Sequence, residues 1–150
     1  MQAQILAPAA VLIGWSIVML FWMMGTRGAA MKAAGTGLGQ AKPGGRGHEL
    51  EGRIPDKVNW KAHNYTHLME QPTIFYPAVI ILAIMGAAAG DVLTAWIYVA
   101  LRIAHSIWQA TVNTLPVRFT LFLLASFALI YLAVRAVIAT LFHDPAVLTA

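Results

Sequence analysis

Four stretches of this chain, Ile5 to Met24, Thr73 to Ala89, Val92 to Ala110 and Phe119 to Phe142, are apolar almost throughout. Each is close to the length of about 20 residues that a helix needs to cross the hydrocarbon core of a bilayer. Together they occupy most of the 150 residues, so little chain is left for a soluble domain. With 59% hydrophobic and only 11% charged residues, the composition lies well outside that of water-soluble domains. The expected fold is therefore all-α: a single integral membrane domain over residues 1–150. It consists of a four-helix up-down-up-down bundle with helices at about 5–26, 57–89, 91–113 and 116–142.

Charge orients the bundle. No Lys or Arg precedes Arg27, which argues against a secretory signal and for a retained first helix with its amino terminus outside. Seven of the ten basic residues (Arg27, Lys32, Lys42, Arg46, Arg53, Lys57 and Lys61) lie between the first and second apolar stretches. The positive-inside bias assigns this loop, together with the link near Asn113, to the cytoplasm. The formal net charge of +4 is thus topological, and it favours anionic lipid headgroups as neighbours. No recognition module or interleaved aromatic stripe accompanies it, so nucleic acid is not an expected partner. The chain has no cysteine, which excludes disulfides, thiolate metal sites and cysteine nucleophiles, so any thiol chemistry must use a thiol brought by a ligand.

Nine of the twelve glycines fall between Gly25 and Gly52, predicting a flexible loop over about 27–56. From Asp56 the residues suit one continuous helix to Ala89, capped by Asp56 or Asn59, with Pro72 and Pro77 inside it and a kink beside Glu70. In "GAAAGD", Gly90 is expected in a left-handed conformation and Asp91 at the cap of the third helix. Thr114 is the expected cap of the fourth, with Pro116 in its first turn.

Polar residues recur at helical spacing within these apolar spans. Asn64, His67 and Glu70 share a face of the second helix, with His63 on its flank. Arg102, His105, Gln109 and Asn113 form a stripe on the third, and Arg118 falls in the first turn of the fourth at the same end. Ionisable groups inside a membrane face a partner or a water-filled cavity and tend to be functional, so Glu70, Arg102 and Arg118 are expected in one network. Plainer roles exist for each. Glu70 and Arg102 can pair simply to join two helices, and a lone His105 can be a hydrogen-bonded core residue. Arg118, Lys61 and Arg135 can reach headgroups. His63, His67 and Glu70 have the spacing of a helix-borne metal site, but a di-metal bundle needs more acids, and a histidine-clustered one more histidines than the five present. No metal is expected.

The second-helix sequence "NYTHLMEQPTIFY", followed by "LRIAHS" in the third helix and "LPVRF" opening the fourth, resembles the membrane-associated proteins in eicosanoid and glutathione metabolism, the MAPEG superfamily, and in particular its small bacterial members. The resemblance spans about residues 56–140. It implies a homotrimer in a bacterial inner membrane, with glutathione or a similar anionic thiol as cosubstrate, bound at the cytoplasmic end between subunits. It also implies transferase or peroxidase-like chemistry on lipophilic small molecules. Carried over, Glu70 matches the glutamate that binds the glutathione amino end, His105 a polar residue near it, and Arg118 the arginine that stabilises the thiolate. Asn64 and His67 would fix the donor's backbone, Arg102 and His105 would line the pocket, Gln109 would keep a polar contact to the donor, and Arg27 would supply a second cation. Where characterised members carry an asparagine three before the glutamate, this chain has His67. His63 stands for an arginine and Gln109 for a tyrosine. The competing reading is a non-catalytic lipid-binding protein or accessory subunit of a larger membrane complex, its polar residues only locking helices together.

Overall fold

A computed structural model describes residues 2–37, 39 and 42–142. Residues 38, 40 and 41 of the expected loop and 143–150 at the end of the expected domain lie outside the described residues. The elements among the described residues are all helical: α1 (Gln2–Ala33), a 3-10 turn (Gly47–Leu50), α2 (Asp56–Leu68), α3 (Pro72–Met85), α4 (Ala89–Thr111) and α5 (Leu115–Leu141). With α2 and α3 counted as one broken helix, these make a four-helix bundle. Three of its members (Gln2–Ala33, Asp56–Met85 and Leu115–Leu141) are long and apolar enough to cross a membrane. In α4, the polar stripe from Arg102 to Gln109 dilutes the hydropathy, although 23 residues span about 35 Å as helix.

Two boundaries depart from expectation. First, α1 runs past Met24 to Ala33, because "GTRGAAMKAA" is rich in alanine and holds no proline to stop it. Second, the expected continuous second helix is broken at Met69–Gln71. A proline ring clashes with the carbonyl four residues earlier and offers no N–H. For Pro72 that carbonyl belongs to Leu68, where α2 stops. Across the break the bonds tighten to three-residue spacing, Met69 N–H to Thr66 O (2.9 Å) and Thr73 N–H to Glu70 O (3.1 Å), and α3 restarts with Pro72 in its first turn. The expected kink beside Glu70 is thus a full break between two helices, with Glu70 inside it.

The caps also differ in detail. Pro55 precedes α2, leaving Asp56 in the first turn, and neither Asp56 nor Asn59 caps it. Gly86, with φ +96°, takes the left-handed conformation after α3, and Gly90 already belongs to α4. Asp91 bonds the Ala88 N–H from inside the first turn of α4 (2.9 Å). Thr114 precedes α5 without a side-chain cap, its hydroxyl instead accepting from Trp108 Nε1 (3.1 Å).

The interior is built from small and medium apolar residues, including Ile5, Leu12, Phe75, Val79, Leu82, Ala95, Ala125 and Leu132. Phe75 of α3 stacks on Tyr98 of α4 with ring centroids 4.4 Å apart. On the outside, Ile13, Ile17, Phe21, Ile84, Leu93, Phe127, Ile130 and Val137 stand exposed. In water such a surface would aggregate. Against lipid tails it is the surface a spanning bundle requires.

Candidate functional site

Below the apolar core, the end of the bundle that carries the first loop opens into a polar cleft of about 460 Å3 lined by His48, His63, Thr66, His67, Glu70, Gln109 and Arg118. Each wall has a local cause. His63, Thr66 and His67 lie on one side of α2, and the kink at Pro72 presents Glu70 beside them. Gln109 comes from the last turns of α4 and Arg118 from the first turn of α5, which the short link at 112–114 brings back to the same level. His48 is supplied by the 3-10 turn of the loop.

His67 is the hub. Its Nδ1 lies 2.8 Å from Glu70 Oε2, and its Nε2 lies 3.4 Å from an Arg102 Nη1. A carboxylate only accepts and a guanidinium only donates. The ring is consequently the tautomer that donates from Nδ1 to Glu70 and keeps its lone pair on Nε2. Arg102 donates its stronger bond, from Nη2, to the His67 carbonyl (2.9 Å). Among the described residues Glu70 and Arg102 form no direct ion pair, as their plainer reading required, and His67 links them instead. The kink places Glu70 at the cleft, its side chain 62% exposed, while Arg102 is fully buried behind His67.

Arg118 donates to Asn113 Oδ1 at 2.7 Å. Asn113 was expected at the end of the third helix, but α4 stops at Thr111 and Asn113 takes φ +58°, the left-handed conformation that asparagine tolerates better than most residues. The turn thus fixes the amide that steadies Arg118.

Of the other expected site residues, Gln109 lines the cleft, and His105 is buried beside it with its ring centroid 4.9 Å from that of His67. Asn64 is not at the cleft wall. It is buried on the face of α2 that meets α4, donating to Ser106 Oγ (2.7 Å), which also accepts from Trp15 Nε1 (2.8 Å). Arg27 is not there either: it donates to the Gly47 carbonyl (2.6 Å) and to Asn59 Oδ1 (3.4 Å), holding the 3-10 turn against the bundle. A second clasp on the same segment joins Glu51 Oε1 to His63 Nε2 at 2.9 Å. Arg135 does not reach for headgroups. It binds the buried Asp91 with two bonds, Nε to Oδ1 (2.9 Å) and Nη2 to Oδ2 (3.2 Å), because the tight α3–α4 link places Asp91 opposite the last third of α5.

A second, more apolar pocket of about 180 Å3 adjoins the cleft, lined by His67, His105, Leu115, Arg118, Phe119 and Phe122. Phe119 and Phe122 had no signal of their own within an apolar helix, and His48 had none within a glycine-rich loop. Only their positions in space mark them. Buried side-chain atoms without a partner among the described residues cluster nearby, namely His105 Nδ1, Gln109 Oε1 and Arg102 Nε. Among the described residues no group of three or more His, Cys, Asp or Glu is placed to hold a metal ion.

The MAPEG family model matches residues 5–138, from the first turns of α1 nearly to the end of α5. The chain belongs to the MAPEG family. Neither the curated proteins nor the solved structures compared with it give a match. MAPEG membership agrees with the helix count and with an integral membrane location, and it associates the fold with glutathione-related transferase and peroxidase-like chemistry. The donors present suit such a ligand. Glutathione carries two carboxylates and one ammonium, and the cleft offers a guanidinium, three imidazoles, an amide and a carboxylate.

Proposed function

We propose that the protein is a membrane-embedded, glutathione-dependent transferase or peroxidase-like enzyme acting on lipophilic electrophiles. It works as a trimer with the thiol donor at the cytoplasmic end between subunits. The observation that carries this reading is the open cleft in which Glu70 and Arg118 face one cavity, of a size usual for small-molecule sites. A purely helix-locking role would have paired Glu70 with Arg102 and left no cavity, whereas Glu70 keeps one carboxylate oxygen free of hydrogen bonds among the described residues.

In this reading Glu70 binds the donor's ammonium, and His63, His48 and Gln109 bracket its backbone and carboxylates. Arg118, steadied by Asn113, holds the sulfur as thiolate, the nucleophilic form. Arg102 and Asn64 act from behind, holding His67 and α2 in place, and Arg27 keeps His48 over the cleft. The apolar pocket beside Arg118 receives the electrophile from the bilayer side.

Purified protein in detergent is expected to gain thermal stability with S-methylglutathione and to raise the ultraviolet thiolate absorbance of added glutathione at neutral pH. Arg118→Ala should abolish the absorbance change while the helical circular dichroism is kept. A folded native protein that gives neither signal excludes the assignment.

A further inference from the structure

Resting on that reading, we infer that His67 is the group that takes the proton from the thiol donor and passes it on to the product or to water, with Glu70 as its positioning residue. Of the residues that line the polar cleft and the apolar pocket, two line both: His67 and Arg118. Donor sulfur and electrophilic atom must meet where the two cavities join. A thiol becomes a thiolate only if its proton goes somewhere. Arginine stays charged and has no lone pair to offer, so at the junction the proton has one protein acceptor, the His67 ring.

The geometry prepares that ring for the task. Glu70 accepts from Nδ1 at 2.8 Å, which sets the tautomer and leaves Nε2 as the basic atom. This is the arrangement of a base oriented by a third group that serves nucleophilic catalysis on unrelated folds. Among the described residues Nε2 accepts one long bond, 3.4 Å from Arg102 Nη1, whose guanidinium makes its nearer bond to the His67 carbonyl, so uptake of the thiol proton displaces only a weak bond. His105 and Phe122 pack against the ring, tilted to it, with centroids 4.9 Å and 5.5 Å away. The charged and titratable groups around it are Glu70 at the kink, His63 on α2, Arg102 and His105 on α4, and Arg118 on α5. Glu70 is the one anion among them, and it stabilises the imidazolium as it forms.

The step balances without any further reagent. The S–H bond breaks, its proton passes to His67 Nε2, and the sulfur electron pair, held by Arg118, forms the new S–C bond. With an activated double bond, the displaced π pair goes to the neighbouring carbon, which takes the proton back from Nε2. With an aryl halide, the halide leaves with the bonding pair and Nε2 gives its proton to water. The apolar pocket, at about 180 Å3, has room for one ring, since a cavity of roughly 150 Å3 accommodates benzene.

The decisive measurement counts protons. Glutathione is titrated into the full-length protein in detergent, with thiolate followed by absorbance and proton release by calorimetry in buffers of different ionisation enthalpy. The native protein should form thiolate with no proton released, because Nε2 keeps it. His67→Asn should bind S-methylglutathione within about threefold of native and form less thiolate, with each thiolate matched by one released proton. It should also conjugate 1-chloro-2,4-dinitrobenzene about 100-fold more slowly, within the range ordinary for general-base loss. Glu70→Gln should bind S-methylglutathione more weakly, because Glu70 also holds the ammonium. At saturating glutathione it should lose less thiolate than His67→Asn, since the amide oxygen still accepts from Nδ1 but no longer offsets the imidazolium charge. One proton released per thiolate by the native protein, no thiolate in the native complex, or native proton counting retained in His67→Asn each overturns the inference. If His67→Asn does not fold, the native proton count decides alone. Absence of S-methylglutathione binding to the native protein overturns the functional reading as well, whereas binding with an overturning proton count removes only the role of His67.

Discussion

Single residues decide more here than their apolar surroundings suggest. Asp91 is fully buried, with Ala88 N–H and the Arg135 guanidinium as its partners, while Arg135 is partly exposed. Removing one member of such a pair leaves a charge without compensation, which costs about 3–5 kcal/mol at buried sites. Arg135→Ala should therefore lower the thermal unfolding midpoint clearly, and the double variant Asp91→Ala with Arg135→Ala should lower it less than Arg135→Ala alone. Equal losses would show that the pair contributes nothing specific. At the cleft, the same scale explains why Glu70 looked like a partner for Arg102 in the sequence. Helical spacing aligns the two elements, but the Pro72 kink rotates Glu70 out of that register and gives His67 to both of them.

At the level of elements, turns place the chemistry. Gly86 ends α3 with φ +96°, a conformation that costs a residue with a Cβ about 1–2 kcal/mol. Gly86→Ala should reduce stability by that order in denaturant or thermal unfolding, and an unchanged midpoint would mean that the link relaxes freely. Asn113 plays the matching part at the α4–α5 link, its left-handed backbone aiming an amide at Arg118. The 3-10 turn Gly47–Leu50 is held by Arg27, and a Cβ at Gly47 would stand 2.7 Å from Arg27 Nη1, so the close approach is suited to glycine. Arg27→Ala should leave the helices intact but speed proteolysis and amide exchange at 47–54, with weaker binding of S-methylglutathione as His48 loses its place. Unchanged exchange in that segment would remove Arg27 from this role. The glycine content there predicted a loop throughout 27–56, yet alanines carry α1 to Ala33, since isolated glycines weaken a helix without stopping it.

For the whole molecule, α1 and α5 expose mainly apolar side chains over their middle turns, and the cleft opens at the end where the first loop and the α4–α5 link lie. A trimer in which neighbouring chains close this cleft should appear as three chains by native mass spectrometry from mild detergent. A monomer that still binds S-methylglutathione would remove the need for a site shared between subunits. By itself the sequence determined the class of fold. Four apolar spans, proline positions and short links leave few arrangements other than an antiparallel helical bundle in a membrane, because backbone groups in lipid must be paired within their own helix. Helical spacing also located the polar end, since Gln109, Arg118 and the α2 histidines sit where periodicity put them. Which of those groups touch was decided only by the tertiary structure. Periodicity ranks residues by face along one axis, whereas a kink, a left-handed asparagine and a returning loop are set by contacts between elements. Those contacts turned Glu70 to His67, sent Arg27 to Gly47 and Arg135 to Asp91, and brought Phe119 and Phe122 beside the site.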